Sequence, residues 1–82
     1  MTKRREKILN LVIENYIANA EPVGSKFLVA NAALGISEAT VRNELRALED
    51  EGYLSHPHTS AGRIPPEKGY KYYIKNLNLA KS

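Results

Sequence analysis

Apolar residues recur along the first twenty positions at the spacing of a helix. Leu9, Val12, Ile13, Tyr16, Ile17 and Ala20 fall at i, i+3, i+4, i+7, i+8 and i+11, one face of a 3.6-residue turn. This predicts a first helix from about Thr2, its N-cap, to Ala20. Pro22 and Gly24 break the pattern, and Pro22-Val23-Gly24 reads as a very short extended stretch. Ser25 caps a second helix from Lys26 to about Ala33, which turns Phe27, Leu28 and Leu34 inward and ends at Gly35. A third helix starts at the N-cap Ser37 and runs to about Glu51, with Gly52 as the left-handed residue beyond it. Val41, Leu45 and Leu48 define its buried stripe. At about 100° per residue, Ala39, Asn43, Arg46 and Asp50 lie opposite that stripe, with Thr40 and Arg42 on its flanks. Tyr53-Leu54-Ser55-His56 reads as a strand, Pro57 to Gly62 as a turn, and Arg63-Ile64-Pro65 as the returning strand. Pro66 suits a helix start, and Tyr70, Tyr73, Ile74 and Leu77 mark an amphipathic fourth helix.

The expected fold is therefore mainly α with a small β-hairpin, a single domain over residues 1–82. Its order of elements is that of a winged helix-turn-helix, with a three-helix core, a wing and a C-terminal helix. A helix with polar and basic residues on its outer face can enter the major groove, and an adjacent β-ribbon can grip the neighbouring backbone. Arg42, Asn43 and Arg46 are the candidate base readers. An arginine fork matches the two acceptors of guanine, and an asparagine amide matches the acceptor–donor pair of adenine. The alternative is a solvated helix face, with Arg46 paired to Glu49 or Asp50. Thr40 flanks the readers. Ser37 either caps the helix or holds a phosphate at its N-terminus. In the turn, His58, Thr59, Ser60, Gly62 and Arg63 suit phosphate or minor-groove contacts, and Gly62 is expected to supply a backbone conformation closed to other residues.

Charge adds a direction. Lys plus Arg number 12 and Asp plus Glu 9, a net charge of +3. Lys3, Arg4, Arg5 and Lys7 crowd the N-terminus, where they oppose the helix dipole; Lys3, Arg4 and Arg5 are candidates for phosphate contact. The acidic run Glu49-Asp50-Glu51 is assigned to the end of the third helix far from DNA. The 82 residues hold no cysteine, which excludes disulfides and thiolate zinc sites. His56 and His58 lack a third ligand, so no metal or other cofactor is expected. No nucleophile has a placed base and no Gly-rich phosphate loop follows a strand, so the chain is not read as an enzyme. No apolar run reaches the roughly 20 residues of a membrane span. A cytoplasmic protein is expected.

Four segments carry a resemblance: EPVGSK (21–26), ATVRNELRALEDEGYL (39–54), PHTSAGRIP (57–65) and KGYKYY (68–73). Together they are similar to the N-terminal DNA-binding domain of the bacterial heat-inducible transcription repressor HrcA. The match runs from roughly Arg5 to Leu77, and the nine residues from Pro57 to Pro65 are its most specific part. The resemblance implies repression of heat-shock chaperone operons through an inverted-repeat DNA operator, in association with the nucleoid. It also implies a much longer full chain that forms a homodimer and takes a GroE-type chaperonin as regulator, whereas the 82-residue fragment alone is expected to be monomeric. A winged helix serving only as a protein–protein interaction module is the competing reading.

Overall fold

The computed structural model describes residues 1–32, 34–57 and 62–81. It is mainly helical, with α1 (Lys3–Asn19), α2 (Ser25–Ala32), α3 (Glu38–Asp50) and α4 (Glu67–Lys81). Thr2 caps α1 as expected, its hydroxyl accepting from the Arg5 amide at 3.1 Å. The expected stripe of α1 is partly corrected. Ile8, Leu9, Val12 and Ile13 are fully buried, whereas Ile17 is 60% exposed. Each i+4 step turns the helix by 40°, so the series Leu9, Ile13, Ile17 drifts off the face centred on Val12 and leaves Ile17 at its edge. Ala20 ends α1 in the left-handed region, φ 55°, its amide bonded to the Tyr16 carbonyl.

The Gly24 carbonyl accepts from the Leu28 amide at 3.2 Å. Ser25 is therefore the first helical residue of α2 and not its cap. Leu28 is fully buried, but Phe27 is 42% exposed, against expectation. Adjacent helical residues point about 100° apart, and a helix of 8 residues has room for one central buried position. Ala33, the expected end of this helix, lies outside the described residues. Val41, Leu45 and Leu48 of α3 are buried as predicted, and with Val23 and Leu54 they join the α1 and α2 residues in one core. Gly52, φ 85°, follows the end of α3.

The expected strands shrink to two isolated antiparallel bridges among the described residues, Val23 with Arg63 and Ser55 with Ile64. Both are closed by reciprocal hydrogen bonds of 2.8–2.9 Å. Tyr53 and Leu54 do not pair in a strand, because their amides return to the Leu48 carbonyl and close the end of α3. At Gly62 a Cβ would lie 2.8 Å from the Pro22 carbonyl carbon, so the close crossing of two backbones requires glycine there.

Pro66 occupies the cap position of α4, its carbonyl accepting from the Tyr70 amide. The expected face of α4 is rotated: Ile74 and Leu77 are 53% and 37% exposed. The buried line runs through Gly69, with Tyr72 and Tyr73 packed beside it. A Cβ on Gly69 would collide with the Tyr53 carbonyl oxygen, so the helix approaches the chain through the gap that glycine leaves. Tyr53 and Tyr72 meet edge to face at 5.2 Å. Lys68 places its ammonium 4.5 Å from the Tyr53 ring centre and donates to the Glu51 carbonyl at 2.7 Å, a favourable site for a cation at a helix C-terminus. Tyr72 and Tyr73 then tie α4 to α1 through hydrogen bonds to Glu6 (2.8 Å) and Glu14 (3.3 Å).

Gly69→Ala should destabilise the chain by about 1–3 kcal/mol through forced overpacking, while Ala20→Gly should stabilise it by about 0.5–1 kcal/mol by relieving the left-handed alanine; urea titrations read both. Donation of a hydrogen bond to the Glu6 carboxylate and then burial raise the Tyr72 phenol above its ordinary value of 10.0, and burial with the Glu14 carboxylate does the same for Tyr73. The folded state thus holds these protons more tightly than the unfolded chain. Their stabilising effect is complete below pH 10 and is lost as pH rises through the folded values. The urea midpoint should therefore decline above about pH 10, and less steeply in Tyr72→Phe.

Candidate nucleic-acid interface

The outer side of α3 is built by what its inner side must bury. With Val41, Leu45 and Leu48 in the core, helical rotation leaves Asn43 and Arg46 at the outer apex, where both are exposed. Arg46 makes no ion pair with another described residue. The alternative pairing of Arg46 with Glu49 or Asp50 is not found among the described residues, and Glu49 meets Arg63 instead. Arg42 lies on one flank, its Nη2 2.8 Å from Glu38 Oε2 one turn earlier. The same carboxylate oxygen accepts from the Ser25 hydroxyl at 3.4 Å. On the other flank Ser37 caps α3. Its hydroxyl accepts from the Thr40 amide at 3.1 Å and lies 3.0 Å from the Thr40 hydroxyl.

Arg63 is drawn back against α3. Its Nε lies 2.9 Å from Glu49 Oε1, as an ionic contact outside hydrogen-bond alignment, and its Nη1 lies 2.8 Å from His56 Nδ1. The side chain is only 13% exposed. It thus joins the bridged segment to the last turns of α3. His58, Thr59 and Ser60 lie outside the described residues. Gly62 is buried at the Pro22 crossing.

The N-terminal cations divide. Lys3 is exposed, but Arg4 and Arg5 turn onto Glu44 of α3. Arg4 Nε reaches Glu44 Oε2 at 3.3 Å and Arg5 Nη2 reaches Oε1 at 3.2 Å. Arg5 also lies 3.6 Å from Glu51. Glu44 is 7% exposed and is the buried charged residue of the core. It was not singled out from sequence, although the signal existed: a carboxylate one residue before Leu45, inside the apolar stripe, in a chain with a basic N-terminus. Within the acidic run 49–51, Glu49 and Glu51 hold Arg63 and Arg5. Among the described residues no group of three His, Cys, Asp or Glu is placed to hold a metal ion. No described helix is long and apolar enough to cross a membrane.

The chain is 59% identical over 75 residues to the heat-inducible transcription repressor HrcA of Bifidobacterium animalis subsp. lactis. It is 53% identical over 79 residues to HrcA of Nocardioides sp. and 50% identical over 74 residues to HrcA of Chlorobium phaeobacteroides. The chain is HrcA-like along nearly its whole length. These matches cover 92%, 96% and 90% of it but only 20–23% of each relative. It therefore spans about a fifth of the length of the HrcA proteins it matches. Their name describes a regulator of transcription rather than an enzyme. No family model matches the chain. Among solved structures, a chain described as a hypothetical protein superposes with a TM-score of 0.93 at 38% identity, over 98% of this chain and 26% of that one.

The Glu44 contacts predict a specific loss. Glu44→Ala should destabilise the chain by about 1.5–3 kcal/mol, the range for hydrogen bonds to charged groups. Arg4→Ala should cost less, because Arg4 is 55% exposed and surface ion pairs contribute little. In the Glu44→Ala background Arg4→Ala should have almost no further effect, a double-mutant cycle read by urea denaturation.

Proposed function

We propose that the chain is a winged helix-turn-helix domain that binds double-stranded DNA and represses transcription of heat-shock chaperone operons, reading an inverted-repeat operator. The observation that carries this is the outer apex of α3, where Asn43 and Arg46 stand exposed while Arg42 and Arg63 beside them are held in defined directions by glutamates. Side chains that suit the acceptor and donor patterns of guanine and adenine are thus presented on one helix. The segment from Ser55 to Ile64 serves as the wing, anchored through its two bridges and Arg63 beside the reading helix. His58, Thr59 and Ser60, which fall within this segment of the sequence, are assigned to the DNA backbone. Similarity to repressors named for heat induction supports the regulatory role, and a cytoplasmic location goes with it.

An inverted repeat needs two reading helices related by a two-fold axis at whole-turn spacing. The HrcA-length relatives offer room for a dimerising region outside these 82 residues. The isolated chain should therefore be monomeric and bind its operator weakly, and linking two copies should strengthen binding by about 10²–10⁴-fold. Sedimentation and DNA titration of the chain and a coiled-coil fusion measure this.

Gel shifts with operator and scrambled duplexes across a salt series test the function itself. Binding should weaken steeply with salt. Asn43→Ala or Arg46→Ala should cost about 1–3 kcal/mol on the operator and much less on scrambled DNA, whereas Lys3→Ala should weaken both alike. Retention of a binding partner other than DNA at high salt, with no operator shift, would favour the protein-interaction reading.

A further inference from the structure

We infer that the groove between the start of α2 and the flank of α3 seats one DNA backbone phosphate through Lys26 and Arg42, leaving base reading to Asn43 and Arg46. The inference rests on the DNA-binding reading above and divides labour within it. The groove encloses about 550 Å³ and is lined by Lys26, Arg42, His56 and Arg63, with Ser25 and Glu38 on its wall. Three cationic side chains from α2, α3 and the bridged segment converge there, although they lie up to 37 positions apart in the chain (63 − 26).

The direction of Arg42 decides its role. Its position is 100° from Val41, on the flank beside α2, whereas Arg46 and Asn43 occupy the apex. Glu38 fixes that direction through a 2.8 Å bond to one Nη, and Ser25 of α2 holds Glu38 in turn. The arginine fork has five donors, so the remaining ones are available to an anion in the groove. Lys26 is exposed at the same mouth and supplies a compact point charge. A phosphate takes charge-assisted hydrogen bonds from such a pair without needing a particular base beside it. Arg63, occupied by Glu49 and His56, forms the opposite wall.

The test is fluorescence anisotropy of the 82-residue chain on an operator duplex and a scrambled duplex over a salt series. Arg42→Ala and Lys26→Ala should each weaken binding to both duplexes by the same factor and lower the slope of log affinity against log salt by about 1. Arg42→Lys should retain most of the affinity, because a phosphate accepts an ammonium, while Arg46→Lys should lose operator preference, because a guanine needs the fork. A change in the operator-to-scrambled ratio in Arg42→Ala, or an unchanged salt slope in Lys26→Ala, overturns the phosphate seat while leaving DNA binding intact. Failure of the unmutated chain to bind either duplex in a salt-dependent way overturns both readings.

Discussion

A carboxylate placed inside an apolar stripe leaves a helix little freedom to roll. Glu44 sits among Val41, Leu45 and Leu48, and it satisfies its charge only where Arg4 and Arg5 of α1 can reach it. Burying it without those partners would be strongly unfavourable. The rotation of α3 about its axis is thereby tied to α1. Everything on the outer side follows: Asn43 and Arg46 at the apex, Arg42 toward α2, Glu49 toward Arg63. Two of the cations that sequence alone assigned to phosphate contact act here on the protein itself.

A second constraint positions α4. Gly69 lets the helix touch the backbone at Tyr53, and Lys68 then covers both the Tyr53 ring and the Glu51 carbonyl. Because Tyr53 and Leu54 also close the end of α3, the α3 terminus, the bridged segment and α4 meet at one short stretch of chain. Arg63 performs the same kind of joining from the other direction, through Glu49. The surface proposed to meet DNA is held from behind by backbone crossings and ion pairs more than by sheet.

Much of the helical framework was legible in the sequence. Periodicity, with breaking and capping residue types, located the four helices of the described residues, the caps Thr2 and Ser37, and the stripe of α3. The errors have physical causes. Phe27, Ile74 and Leu77 were assigned inward because they are apolar, yet the centre of the α4 face is a glycine whose value is the space it leaves. Ile17 was lost to rotational drift. Strands were overestimated because the amides of Tyr53 and Leu54 found a partner in the preceding helix. The exposure of Asn43 and Arg46 on the outer side of α3 was readable from spacing. The pairings of Arg4, Arg5 and Arg63 were not, since they join residues 7 to 46 positions apart that only the packed fold brings together.

The contact between Tyr72 and Glu6 has a bearing on how the chain is made. It links positions 66 apart, and the Val23–Arg63 bridge and the Arg4–Glu44 pair each close loops of about half the chain. Helices alone would give local contacts and quick assembly, but these closures are non-local and must wait for both partners. Because α1 precedes its partners along the chain, its apolar face waits first for Leu28 of α2 and for Val41, Leu45 and Leu48 of α3, and then for the tyrosines of α4. Until those later segments have been made, that face is open to water, or to a chaperone.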